Sequence, residues 1–181
     1  MSNVEATEVT LRPIELADTP LIVKWRNMPE VRKNLYIQTD LTPQMHEQWF
    51  HSRVLTGQCA QFIILGGKDP IGTVFLKNID RVFRKAEFGI FLGETQARGK
   101  GYGSMAASLI VEHGFRELAL NRIYLTVFMS NPAAIRSYEK VGFRREGILR
   151  QDFLGKGGYE DVCMMSILRE EWEANQQTNH S

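Results

Sequence analysis

Cysteine is scarce. Two in 181 residues, Cys59 and Cys163, lie far apart and form neither a C-x-x-C pair nor a disulfide framework; two free thiols, at least partly buried, are expected. The four histidines show no metal-ligand spacing, so no metal is expected. Charge of one sign is not in excess either: Lys and Arg number 22 against 21 Asp and Glu, a formal net charge of +1. Such a balance gives no bulk attraction for nucleic acid or an anionic membrane, and any electrostatic recognition must be local. No apolar run approaches the ~18 residues of a membrane span. The start, Met1-Ser2-Asn3-Val4-Glu5, has neither the basic region nor the apolar stretch of a signal peptide, so a cytoplasmic location is expected. There is no internal repeat. Hydrophobic residues make up 43% of the chain, enough for the core of one domain, assigned to residues 1–173, with a polar, disordered tail expected over 174–181.

Periodicity and turn residues divide the rest. Val9–Ile14 reads as a first strand whose end Pro13 demotes to an edge. Asp18 is placed to cap a helix through Leu21, Ile22 and Trp25, which Met28-Pro29 interrupts. Thr42 and Pro43 stand as N-cap and N1 of a second helix running to about Leu55. Segments 61–65, 71–79 and 85–92 read as consecutive antiparallel strands, and Arg122–Val127 as a later one. Segments 143–152 and 159–168 form a last hairpin across the turn at Gly155–Gly158.

One stretch stands out chemically. Arg98-Gly99-Lys100-Gly101-Tyr102-Gly103 is a cationic, glycine-spaced loop that leads into an amphipathic helix marked by Met105, Ala106, Leu109 and Ile110. Its glycines let backbone N–H groups approach an anion, and the helix N-terminus adds a positive dipole worth roughly 0.3–1 kcal/mol per contact. It is not a Walker loop, because Gly101 rather than Ser or Thr follows Lys100. It is not a dinucleotide fingerprint either, because the glycines fall at alternate positions. Glycines alone also suit an ordinary turn capping a surface helix.

The surrounding sequence decides between these. Asn131-Pro132-Ala133-Ala134-Ile135-Arg136-Ser137-Tyr138-Glu139-Lys140-Val141-Gly142-Phe143 follows the loop, its helix and a strand. Together the loop, with Arg98, Gly101 and Gly103, and the Asn-x-x-Ala-x-x-x-Tyr-x-x-x-Gly-Phe element resemble the GNAT superfamily of acetyl-CoA-dependent N-acetyltransferases over roughly Val9–Leu168. The resemblance implies a mixed α/β (α+β) fold, with a mostly antiparallel sheet splayed between strands 4 and 5 and flanked by helices. It also implies acetyl-CoA as co-substrate, with its pyrophosphate on the amides of Arg98, Gly99, Lys100, Gly101, Tyr102, Gly103 and Ser104. The pantetheine arm would pair with the backbone of Ile90, Phe91 and Leu92 and meet Asn131, whose bond-forming role is otherwise that of an N-cap before Pro132.

Direct transfer to an amine needs a neutral nucleophile and a proton for the departing thiolate. On its helix Tyr138 shares a stripe with Ala134 and Ile135, as a core aromatic would; in the family the matching hydroxyl protonates the thiolate, for which a phenol near pKa 10 is suited. Glu87 shares a strand face with Gly89 and Phe91, opposite Ala86, Phe88, Ile90 and Leu92. It is either a solvated charge or, as the resemblance implies, the base that takes the amine proton.

The acceptor is a small-molecule amine rather than a protein by this reading, and a homodimer is compatible with it. From Asp18 to Gly57 four acids face five bases, a mild argument against a polycation. The same region supplies Trp25, Arg26, Asn27 and Trp49, rings and cations suited to a phosphorylated acceptor. Trp25-Arg26-Asn27 is similar to acetyltransferases acting on nucleotide-linked amino sugars, which lead; a protein N-terminus or a polyamine are the alternatives. A non-catalytic acyl-CoA-binding domain is the competing class.

Overall fold

The computed structural model describes residues 8–178. Strands Val9–Pro13 (β1), Ala60–Gly66 (β2), Asp69–Asp80 (β3), Lys85–Leu92 (β4), Arg122–Phe128 (β5), Arg144–Gly155 (β6) and Gly158–Leu168 (β7) form one sheet in the order β1-β2-β3-β4-β5-β7-β6. All neighbours are antiparallel except β4 and β5. Helices Tyr102–Arg116 and Pro132–Val141, here α4 and α5, cover one face; Thr19–Asn27 (α1), Pro29–Arg32 (α2) and Pro43–Trp49 (α3) lie toward the other.

Alternation along each strand sorts the side chains between two cores. Ala86 and Phe88 join Ile110, Phe115 and Ile135 beneath α4 and α5, whereas Ile63 of β2 joins Ile22, Trp25 and Phe50 on the opposite face. Both cysteines are buried and free.

The central feature is where the sheet comes apart. β4 and β5 pair only over Lys85–Glu87 with Arg122–Tyr124. Beyond that point β5 continues against β7 as far as Phe128↔Val162, and β4 continues against β3 as far as Leu92↔Gly72. The two strands diverge, as the resemblance implied, and β4 from Phe88 onward has no β5 partner among the described residues.

Three details differ from expectation. Asp18 stands at the N-cap position of α1 but its side chain makes no capping bond: it accepts from the Arg12 guanidinium at 2.8 and 3.1 Å and from Glu15 N, closing the short turn before the helix. The helix expected to reach Leu55 changes pitch at Phe50, where residues Phe50–Val54 form a π-type turn. The tail expected to be disordered from Ala174 is helical through Thr178, because Arg169–Thr178 (α6) extends from β7 and seats Trp172 against Phe115 at 5.5 Å; residues 179–181 lie outside the described residues.

Candidate active site

A cavity of about 620 Å³ opens where β4 and β5 part. Its floor is the diverging backbone of Glu87–Leu92 and Leu125–Phe128, and Tyr138 enters from α5. Arg26, Trp49 and Arg98 stand on its walls, and the segment between α2 and α3 crosses its mouth with Asn34 and Tyr36. Among the described residues no helix is long and apolar enough to cross a membrane, and no cluster of three metal-ligating side chains occurs.

Each expected residue has a definite place. Ile90, Phe91, Leu92, Arg98, Asn131, Glu87 and Tyr138 all line the cavity. Gly99 and Gly101 adopt φ of +74° and +83°, the left-handed region that glycine enters without strain. Gly101 starts α4, so the amides of Tyr102, Gly103 and Ser104 open the helix toward this end of the split. A Cβ added at Gly99 or Gly101 would meet nothing within 4 Å, and one at Gly103 only Leu92 at 3.9 Å. That open cradle before a helix N-terminus fits a diphosphate. The Arg98 guanidinium donates to Leu92 O at 3.1 Å, tying the loop to the end of β4. Ser104 Oγ meets Ser137 Oγ at 2.7 Å, joining the start of α4 to the middle of α5. Asn131 caps α5 by accepting from Ala134 N, and its amide donates to Asn34 across the cavity at 3.2 Å.

Tyr138 is packed edge-on against Phe88 at 5.5 Å and near Phe143 at 6.0 Å. Burial pushes its phenol up to about 12. Glu87 is held at both oxygens, by Lys77 Nζ at 3.0 Å and by Asn78 Nδ2 at 3.0 Å. Lys77 is its register partner on β3, and Asn78 takes a left-handed φ of +52° at the adjoining bulge.

Two acceptor-side residues fall elsewhere. Trp25 is 0% exposed, fills the space that a side chain on Gly93 would need, and donates Nε1–H to Glu94 at 2.8 Å. It therefore supports the end of β4 and does not face an acceptor. Asn27 uses its amide on Leu41, donating to the carbonyl and accepting from the N–H at 2.8 Å each, which fixes the start of α3. Arg26 and Trp49 do reach the cavity. Asn34, Tyr36, Lys77 and Thr126 also line it and were not singled out by sequence; only Lys77 carried a signal, as the residue a hairpin centred on Val82 sets opposite Glu87.

Residues 8–144 match the acetyltransferase (GNAT) domain family. The chain belongs to the GNAT acetyltransferases. It is 33% identical over 177 residues to the uncharacterized N-acetyltransferase p20 of Bacillus licheniformis, covering 95% of this chain and 99% of that protein. Spermidine N-acetyltransferase from Vibrio cholerae, solved in complex with CoA and spermine, superposes with a TM-score of 0.85 at 29% identity, covering 91% of this chain and 97% of that one. A dodecameric structure of spermidine N-acetyltransferase from Vibrio cholerae superposes with a TM-score of 0.79, again at 29% identity, over 91% of this chain and 95% of that one. The GNAT acetyltransferase is thus an N-acetyltransferase that takes its acetyl group from acetyl-CoA.

Proposed function

We propose that this GNAT enzyme acetylates the primary amine of a small molecule that also carries an anionic group, a nucleotide-linked amino sugar being the form that suits the cavity best. The observation that carries the reading is Arg26. Its side chain lines the cavity, with Nη2 donating to Ile37 O at an exposed contact while the buried Nη1 has no partner among the described residues. No carboxylate pairs with it among those residues, and burial together with the neighbouring Arg32 lowers its pKa. A phosphate or carboxylate would supply the missing partner, and guanidinium is the side chain best shaped for either.

In this scheme the loop from Arg98 to Ser104 holds the diphosphate of acetyl-CoA, and the open edge of Ile90, Phe91 and Leu92 takes the amides of its arm. Tyr138 donates its phenolic proton to the departing thiolate. Glu87 receives the amine proton, and the acceptor must reach it in competition with Lys77. Asn131 caps α5 and guides the arm. A homodimer is proposed through the outer face of β6, where Ile148 and Leu154 stand 53% and 64% exposed. A polyamine is the second reading, favoured by the spermidine relative and by Asp152, Glu160 and Asp161 on the β6–β7 hairpin beyond Tyr36.

The test is thiol release from acetyl-CoA with a UDP-linked amino sugar, spermidine and a ribosomal-protein N-terminal peptide, run on the wild type and Arg26→Gln. The expected result is preference for the UDP-linked acceptor and a raised acceptor KM in the variant. Preference for spermidine, with Arg26→Gln indifferent, would replace this reading with the polyamine one.

A further inference from the structure

The segment joining α2 to α3 is fastened to the far half of the sheet through Tyr36. Its ring lies 5.4 Å from Phe128 and 5.6 Å from Phe153, which themselves stand 4.6 Å apart. Its hydroxyl donates to Asp152 Oδ2 at 2.8 Å. Asp152 sits in the irregularity of β6 between Leu149 and Phe153, where the neighbouring Gln151 takes a φ of +54° and its N–H is held by Asp161. Asn34, two residues earlier, accepts from Asn131 just beyond the end of β5, so both ties fasten the strap to the β5 side of the split.

The phenol end belongs to the cavity. Tyr36 lines it alongside Thr126 and Glu87, and both of these act on the phenol: Thr126 as a hydrogen-bonding neighbour and Glu87 through its charge. A phenol owns one proton. Because that proton is given to Asp152, the oxygen can offer the cavity only lone pairs, and the carboxylate behind it polarises the oxygen into a stronger acceptor. A group inside the cavity that meets Tyr36 must therefore bring an N–H or O–H of its own.

We infer that Tyr36, with its hydroxyl oriented by Asp152, receives one N–H of the acceptor amine and thereby turns the nitrogen lone pair toward the thioester. Asp152 is a positioning residue, acting through Tyr36. The inference rests on the amine-acceptor reading above and adds a residue from outside both sequence motifs. No bond is made or broken at Tyr36: it remains a neutral phenol throughout, and the amine proton departs by the route already assigned to Glu87.

The experiment compares wild type, Tyr36→Phe, Asp152→Asn and Asp152→Ala, with spermidine and the UDP-linked amino sugar as acceptors. Each is run as the free primary amine and as its N-methyl derivative, with acetyl-CoA affinity measured separately. Tyr36→Phe keeps the ring contacts and should lower kcat/KM for the acceptor roughly 3- to 10-fold, the size of one lost neutral hydrogen bond, at unchanged acetyl-CoA Kd. Asp152→Asn keeps an oxygen that can accept from the phenol and should retain more activity than Asp152→Ala. The diagnostic readout is selectivity. The wild type should prefer the primary amine to the N-methyl amine, and Tyr36→Phe should erase most of that preference, which loosening of the strap alone would not do. Wild-type turnover with the preference intact in Tyr36→Phe overturns the role of Tyr36 and leaves the amine reading standing. Absence of wild-type turnover on either amine, with acetyl-CoA bound, overturns both.

Discussion

Replacing Tyr138 by phenylalanine removes one oxygen from the interior and little else. The ring contacts with Phe88 and Phe143 survive, so folding stability should change little. The catalytic consequence is larger and follows from the phenol's environment. Burial raises its pKa to about 12, so the group is fully protonated across the working range and always able to donate. The same burial makes it a reluctant acid. Against a thiol with the ordinary solution pKa of ~8.5 the phenol is the weaker acid by about 3.5 units, or roughly 5 kcal/mol, so Tyr138 donates a hydrogen bond to sulfur as the carbon–sulfur bond breaks, and full transfer relies on the same burial raising the pKa of the departing thiolate. Loss of a positioned general acid typically costs roughly 10²- to 10⁴-fold, equivalent to about 2.7–5.4 kcal/mol of transition-state stabilisation. The assay is steady-state thiol release at saturating acetyl-CoA, with acetyl-CoA affinity and thermal melting measured in parallel. The expected outcome is a kcat reduced by at least roughly 100-fold at nearly unchanged Kd and Tm. A kcat within threefold of wild type would refute the assignment of Tyr138 as the acid.

Other perturbations address separate parts of the argument. A Cβ on Gly93 would sit inside the indole of Trp25, which is 0% exposed and has nowhere to move. Gly93→Ala should therefore cost about 1–3 kcal/mol and lower Tm by roughly 2–12 °C, read by calorimetry; an unchanged Tm would mean that Trp25 repacks freely. Glu146 is held at about 2 by hydrogen bonds from Arg122 at 2.5 and 2.6 Å, helped by Ser166. Its ordinary value is 4.5, so the stabilisation is present above that pH and is lost as pH falls toward 2. Urea unfolding should show a deficit in Glu146→Gln at pH 7 that shrinks at pH 3, whereas a constant deficit would deny the ion pair its part. Arg98→Ala should weaken acetyl-CoA binding by roughly tenfold or more, and in the wild type acetyl-CoA should slow hydrogen exchange in the peptide covering Phe88–Leu92. Fast exchange there in the bound state would argue against the strand edge as the seat of the pantetheine arm.

What the sequence revealed depended on how local each signal was. The loop at Arg98–Gly103 and the Asn131–Phe143 element carry their geometry in neighbouring residues, so both could be placed before any coordinates. Strand β4 was legible at both ends, and its alternation correctly set Glu87 and Gly89 opposite Phe88 and Ile90. Trp25 was misjudged because a tryptophan beside Arg26 and Asn27 reads equally well as a binding ring or as core. Only the packing of Gly93, 68 positions away, distinguishes the two. Tyr36 had no signal at all. Its partners Asp152 and Phe153 are more than a hundred residues distant, and the irregularity of β6 that presents them is a property of strand pairing, not of composition. The end of the chain was misread for the opposite reason: its polar composition suggested disorder, but one anchoring side chain, Trp172 on Phe115, accompanies helix through Thr178.

The split between β4 and β5 explains why the reacting groups come from such different places. In a continuous sheet, side chains alternate between faces that backbone hydrogen bonds keep apart. Phe88 and Ile90 point toward Tyr138 and α5, whereas Glu87 and Gly89 point toward Lys77, Phe75 and Tyr36. A donor held on one side and an acceptor on the other would then be separated by the strands themselves. Ending the parallel pairing after three residues removes that barrier over the length of one short cavity. It also leaves a peptide edge open in the middle of the sheet, which is costly unless a ligand rich in amides occupies it. The same break brings Tyr138, Glu87 and Tyr36 onto one space and, on the function proposed above, would serve both donor binding and passage between the faces.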